Sequence, residues 1–384
     1  MNDVSDVPDA RSPVVPDARA PVVPDARSPV VPDPRSTVVP DARSPVVPVV
    51  VPDPRRPTRR QTLAAAAVSV PVAVAAVVLP FTAGPTFVTD ITQVAAFTVA
   101  FAGLSLLTHR LGLLSLGHGA LTGVGAVFAL HSVNDFGLPP MLMPAVGFAA
   151  GTAVGALLGI PSLRLPQAYL ALLTLSAAVA FPIVLRQIDG PLPVTLDGRF
   201  APPAWTGIAA RDEHIWEYAV VVGWAAVALV GLDRLLRGPV GRALVAAREP
   251  DAAAAFGIAV YRLRLGAVAL SGGLAGLAGG LLVVPVNFTD QAQYPEVLSI
   301  KMFALAVAFG GTAGSRSALV RVLGWVGAAG VLVLLPTWLA DRPGWVTQGG
   351  WIGLVKSEGF LYAALLLGAA FVVGRGRRAA SGRR

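Results

Sequence analysis

Few side chains in this sequence could carry reaction chemistry. There is no cysteine, which excludes a thiolate nucleophile, a disulfide and a thiolate metal site. The four histidines lack the close spacing of metal ligands: His109, His118, His131 and His214. The sequence also lacks the Gly-x-x-x-x-Gly-Lys-Ser/Thr loop that cradles nucleotide phosphates. We therefore predict no catalytic residue, no metal and no cofactor.

The most unusual polar feature is a glycine-rich segment, residues 111–125, within an apolar region. Each glycine weakens a helix by about 1 kcal/mol relative to alanine, and transporters use broken helices whose N-termini face a carboxylate in a cavity. Close packing of small residues is the alternative interpretation. The imidazole of His118 favours a cavity, because lipid accommodates polar groups poorly. The predicted substrate pathway residues are Ser115, Gly117, His118 and Gly119.

A second stretch, residues 237–262, is too polar to cross a membrane, and we call it the elbow. It is predicted to form a short helix, a Glu-Pro-Asp corner that can start a second helix, and an alanine run that ends at Gly257. Two such helices offer another protein a surface to grip, with Phe256 and Ile258 as apolar contacts. A connection that lies on the lipid leaflet is the alternative.

Ionisable residues at membrane depth are scarce in this sequence. A charge there costs at least about 2.5 kcal/mol, so carriers driven by protons or sodium keep such residues for function. The nearest candidate is Lys301, just inside a predicted span, and we interpret it as a lysine whose ammonium group snorkels to the interface. We therefore expect the driving force to come from another polypeptide.

The elements that position these residues follow from composition. Apolar residues make up 54% of the 384-residue chain and charged residues only 14%, whereas soluble proteins have about 25% charged residues. The sequence therefore predicts an all-α polytopic membrane protein with about ten transmembrane helices of about 20 residues each, the third of them broken by glycine. The predicted spans are 63–80, 91–107, 113–130, 142–160, 168–185, 218–236, 265–286, 297–311, 319–339 and 360–373.

Three regions are predicted along the chain. Residues 1–58 carry five octapeptides such as PDARSPVV, which is typical of a disordered, polyproline-like tail. We interpret this tail as a low-complexity extension, and a docking segment for a partner is the alternative. Residues 59–374 form the transmembrane domain, which includes the elbow, and residues 375–384 form a basic tail.

The net charge of +8 indicates a lipid surface and not nucleic acid, because the arginines lie between apolar runs and at the chain end. The short connections rich in arginine alternate with acidic ones, as the positive-inside rule requires. This pattern places the elbow in the cytoplasm. An even number of spans then predicts that both termini are cytoplasmic.

These segments resemble the membrane-spanning permease subunits of ATP-binding-cassette importers for branched-chain amino acids, whose relatives import urea and short amides. Residues 114–120, LSLGHGA, are similar to the family's signature in its third span, and residues 275–281, AGLAGGL, to its seventh. The likeness covers nearly all of residues 87–373. The elbow is similar to the family's coupling loop at Gly241, Arg242, Arg248, Glu249, Ala254, Phe256, Gly257 and Ile258.

The resemblance implies a non-catalytic permease subunit of an importer in the bacterial plasma (inner) membrane. Two ATP-binding subunits would dock on the elbow, a second homologous permease subunit would complete the pore, and an extracytoplasmic substrate-binding protein would deliver the substrate. Substrate would then cross the lipid bilayer by alternating access.

Two other function classes stay open at the level of sequence. The chain could be a self-sufficient secondary carrier or channel for small polar solutes such as urea or amides, with the elbow as a leaflet-bound linker. It could also be a structural membrane scaffold whose repeat tail binds a soluble partner. Uptake into ATP-depleted vesicles that hold an ion gradient would separate the carrier from the ATP-driven importer.

Overall fold

The computed structural model of the protein describes residues 78–162, 167–190, 193–198, 200–310 and 317–340. The predicted octapeptide tail, most of the first predicted span, the last predicted span and the basic tail lie outside the described residues. The described part is mostly helical. Its helices are α1 Pro85–Ser105, α2 His118–Asn134, α3 Met143–Ser162, α4 Gln167–Asp189, α5 Glu213–Arg237, α6 Pro239–Ala246, α7 Pro250–Ala255, α8 Val260–Val286, α9 Glu296–Ala308 and α10 Ala318–Ala340.

Six helices in the described residues are long and apolar enough to cross a membrane. They confirm that long apolar helices exist where six of the predicted spans lie. The helical ranges that meet both criteria are Pro85–Leu111, Pro140–Pro161, Tyr169–Ile188, Glu213–Arg237, Val260–Val286 and Ala318–Trp338.

Two other predicted spans, 113–130 and 297–311, correspond to shorter helices. Helix α2 has 17 residues and starts only at His118, because the residues before it are not helical. Helix α9 has 13 residues and starts after Pro295. A straight span needs about 20 residues, so the total of about ten spans stays a prediction.

The centre of the bundle is formed by α1 and α8, most of whose residues are buried. Helix α8 packs against α1, α2 and α3. It approaches α3 where Gly272 and Gly276 face Gly147 and Gly151. Small residues allow this close approach, which is how helices associate in lipid without a hydrophobic driving force.

A short two-stranded sheet closes one end of the bundle. Strands β1 (Val194–Thr195) and β2 (Phe288–Thr289) pair antiparallel, with Val194 opposite Thr289. Asn134 at the end of α2 donates to the Thr195 carbonyl at 2.7 Å. These bonds fasten the loop between α4 and α5 to the same end of the bundle as the C-terminus of α8.

An ion pair joins α5 to α10 near the elbow. Arg321 on α10, only 4% exposed, donates from Nη2 to Oδ1 of Asp233 on α5. The second oxygen of Asp233 lies 2.7 Å from Nε of Arg237, which is 62% exposed. The carboxylate of Asp233 therefore pairs with both a buried guanidinium group and an exposed one.

Candidate functional site

The glycine-rich segment contains a break between two helices. Helix α1 continues as a π-helix, Leu106–Leu111, that ends at Gly112 with a φ of 72°. A side chain would strain this left-handed backbone conformation, which explains the glycine. Residues 112–117 are not helical, and α2 begins at His118 with Gly117 as its N-cap. We call residues 112–117 the break.

Hydroxyl groups from two other helices accept hydrogen bonds from backbone N–H groups in the break and in the first turn of α2. The N-cap residue, Gly117, has no side chain that could cap this helix. Instead, the N–H of Leu116 donates to Oγ1 of Thr174 on α4 at 3.0 Å. The N–H of Gly119 donates to Oγ of Ser299 on α9, also at 3.0 Å. These bonds pin the break between α4 and α9 in the present conformation.

The helix break and the close packing of glycines occur together at this site. A Cβ atom at Gly117 would lie 2.8 Å from the Thr174 carbonyl oxygen, and one at Gly119 would lie 2.7 Å from Oγ of Ser299. These contacts are closer than real Cβ atoms make, so the hydroxyl caps require glycine at both positions. Close packing of small residues therefore makes the capped break possible.

His118 connects the break to the central helices. Its Nδ1 lies 3.1 Å from Oγ of Ser115, and its Nε2 lies 2.9 Å from Oγ of Ser271 on α8. The Ser271 hydroxyl donates to the Gly103 carbonyl of α1 at 2.6 Å, so Nε2–H is the donor to Ser271. Nδ1 of the neutral ring then accepts from Ser115. The hydrogen-bonded chain thus runs from the break through α8 to α1.

The structure brings the four predicted pathway residues together. Ser115, Gly117, His118 and Gly119 are all buried. A pathway through them would require α4 and α9 to move away from the break, so their role stays a prediction. Sequence reasoning missed Thr174, Ser271 and Ser299, because a lone hydroxyl in an apolar span commonly bonds to its own helix.

Removing the hydroxyl caps is expected to destabilise the protein. Thr174→Val removes the acceptor of the half-buried Leu116 N–H, and Ser299→Ala removes that of the buried Gly119 N–H. Each loss costs about 1–3 kcal/mol, and we expect the larger cost for Ser299→Ala. Titration with denaturing detergent, followed by tryptophan fluorescence, would measure the loss.

The matched control for the caps is Ser176→Ala, because the exposed Ser176 hydroxyl donates to the Leu172 carbonyl of its own helix. We expect this change to alter the free energy of unfolding by no more than about 0.5 kcal/mol. Equal losses in the cap variants and in the control would contradict the capping role.

The elbow contains the two short helices that its sequence predicts. Helix α6 starts with Pro239 and α7 with Pro250, each in the first turn, where a missing N–H costs nothing. Gly257 ends α7 with a φ of 75°. Its N–H donates to the Ala254 carbonyl at 2.9 Å, and the N–H of Ile258 donates to the Ala253 carbonyl at 3.1 Å. This pair of bonds is a Schellman motif.

The predicted docking residues of the elbow are mostly at the surface. Phe256 is 87% exposed, more than the other large apolar side chains of the described residues. Ile258 is half-buried and Gly241 is buried against Leu236. The other predicted residues are exposed: Arg242, Arg248, Glu249, Ala254 and Gly257.

The elbow packs against the π-helix that precedes the break, and its Arg248 side chain lies beside Gly112. A Cβ atom at Gly112 would lie 3.6 Å from Nε of Arg248. Arg264 on α8 donates from Nη2 and Nε to the Ala247 carbonyl, at 2.6 and 3.2 Å. The elbow is therefore adjacent to both the break and the central helix α8.

Comparisons with known proteins agree with the sequence resemblance. A family model described as branched-chain amino acid transport system / permease component matches residues 86–371. The chain is 31% identical to the high-affinity branched-chain amino acid transport system permease protein LivM of Escherichia coli (strain K12), with 64% of this chain and 63% of the relative covered. It is 29% identical to LivM of Salmonella typhimurium (strain LT2), with the same coverage. The chain thus spans 63% of the length of these curated relatives. No solved structure matches it significantly.

Proposed function

The chain belongs to the family of permease components of branched-chain amino acid transport systems, and from this premise we propose that it is the permease subunit of an ATP-driven importer of branched-chain amino acids. The observation that carries this proposal is the exposed elbow in contact with the break. The elbow offers a docking surface for the ATP-binding subunits, and its contacts connect that surface to the break.

The proposed partners divide the work of transport. Two ATP-binding subunits hydrolyse the ATP, because this sequence has no phosphate-binding loop of its own. They dock on the elbow. A second homologous permease subunit completes the pore, and an extracytoplasmic binding protein delivers the substrate. The protein lies in the bacterial plasma (inner) membrane, with the elbow and both termini in the cytoplasm.

The proposed mechanism is alternating access driven through the elbow. When the ATP-binding subunits close, they displace α6 and α7 as a unit. Arg248 then moves against Gly112, and the bond from Arg264 to the Ala247 carbonyl transmits the displacement to α8. The hydroxyl caps on α2 separate, and the pathway residues of the break become accessible.

The docking surface can be tested with a matched pair of phenylalanines. Phe256→Ala removes an exposed aromatic ring from the elbow, and an aromatic residue at the centre of an interface contributes about 2 kcal/mol or more. We expect the dissociation constant of the ATP-binding subunits to rise by at least about 10-fold. It would be measured by titrating these subunits onto the purified permease in nanodiscs. Substrate-stimulated ATP hydrolysis should fall in parallel.

Phe136→Ala is the control for Phe256→Ala. Phe136 is 77% exposed and lies just after the C-terminus of α2, away from the elbow. It should leave docking of the ATP-binding subunits unchanged. Equal docking of the Phe256→Ala variant and the wild type would refute the role of the elbow. Concentrative uptake by the lone chain, driven by an ion gradient, would instead support a secondary carrier.

A further inference from the structure

A cavity of about 430 Å³ lies between α1, α9 and α10, apart from the break. It is lined near the N-terminal ends of α1 and α9 and by the short 3₁₀ turn Gln291–Gln293. None of the predicted pathway residues lines it. Its size is in the range of pockets that bind small molecules, about 300–1,000 Å³.

Two opposite charges line this cavity. Asp90 comes from α1 and Lys301 from α9, and both residues are partly buried. The side chain of Lys301, which the sequence predicted to reach the lipid interface, is among the residues that line this cavity. The amide side chains of Gln93 and Gln293 add hydrogen-bond donors and acceptors. Such a set complements a ligand that carries one ammonium and one carboxylate group.

The remaining wall of the cavity is largely apolar. Phe97, Leu298, Leu332 and Val333 contribute aromatic and aliphatic surface from all three helices. An aliphatic side chain placed against them loses contact with water, which is favourable. The polar and apolar parts together match an amino acid with an apolar side chain.

We propose that this cavity binds the zwitterion of an aliphatic α-amino acid, with its ammonium group at Asp90 and its carboxylate at Lys301. The identity of the side chain rests on the proposed function. The site is an entry site, distinct from the break, at the end of the bundle opposite to the elbow. Helix α9 links the two, because Ser299, which caps α2, lies between the cavity residues Leu298 and Lys301.

The two charges can be tested separately with leucine and two analogues that each lack one charge. L-leucinamide has no carboxylate, and 4-methylpentanoate has no ammonium group. Binding to the full chain in lipid nanodiscs is measured by ligand-observed NMR, which detects weak complexes. We expect the wild type to bind L-leucine at least about 10-fold more tightly than either analogue, because hydrogen bonds to charged groups are strong.

The variants should lose one preference each. Lys301→Met should bind leucine and leucinamide equally and still discriminate against 4-methylpentanoate, and Asp90→Asn should do the reverse. Glu296→Gln is the control, because Glu296 is exposed in the first turn of α9 and does not line the cavity. It should keep both preferences.

Two results would overturn the proposal: a wild type that binds leucine no better than the analogues, or variants that keep both preferences. The second would mean that the two charges serve only the fold. ATP-driven leucine uptake by the assembled transporter tests the proposed function independently. Uptake without a binding preference would refute the cavity site alone, and a binding preference without uptake would refute the importer alone.

Discussion

Replacing Asp233 by alanine is expected to lower the free energy of unfolding by about 3–5 kcal/mol, because it removes a carboxylate that compensates a buried cation. Arg321 is 4% exposed and donates to Asp233 from a different helix. An arginine inside an apolar bundle is tolerated when a carboxylate compensates it. The loss would be measured by detergent-induced unfolding and by the yield of monodisperse protein.

The exposed arginine of the same network provides the control. Arg237→Ala removes the partner of the other Asp233 oxygen, but Arg237 is 62% exposed, so its loss should cost less than about 1 kcal/mol. The double variant Asp233→Leu with Arg321→Leu should be more stable than Asp233→Ala alone, because it removes both charges. If the double variant loses as much free energy of unfolding as Asp233→Leu and Arg321→Leu lose together, the two charges do not act as a pair.

Gly276→Ala is expected to destabilise the protein by about 3 kcal/mol, because an added methyl group overpacks an interface of two backbones. Its Cβ would lie 2.8 Å from Cα and 3.0 Å from N of Gly151, and it would overlap the Gly147 carbonyl oxygen. Backbone atoms cannot rotate away as a side chain can, so α3 and α8 must separate. Unfolding in detergent would measure the effect.

The matched control is Gly223→Ala on α5. A Cβ atom there meets nothing within 4 Å, and alanine favours a helix over glycine by about 1 kcal/mol. The same change of residue should therefore stabilise the protein slightly or leave it unchanged. Similar effects at the two positions would contradict the packing role of Gly276.

Much of the fold could be predicted from the sequence because the long helices are defined by local hydropathy. The predicted span 218–236, for example, lies within α5, Glu213–Arg237. The span predicted at 297–311 runs past the end of its helix, because α9 ends at Ala308. Hydropathy does not detect where a helix stops inside an apolar region.

In the candidate sites, too, the local features could be predicted from the sequence and the long-range contacts could not. The glycines around His118 and the Glu-Pro-Asp corner of the elbow are local signals, and the structure has a helix break and two short helices at these places. The partners of those residues are not local. Thr174 and Leu116 are 58 positions apart, and Ser299 and Gly119 are 180 positions apart.

The sequence by itself determined which segments leave water, where a helix can break and which loop stays polar, because these properties depend on the composition of short stretches. Only the tertiary structure decided which hydroxyl caps α2, that Asp233 compensates Arg321, and that Asp90 and Lys301 line one cavity. Those contacts depend on the rotation and depth of each helix relative to its neighbours, and uniformly apolar helix surfaces leave both undefined.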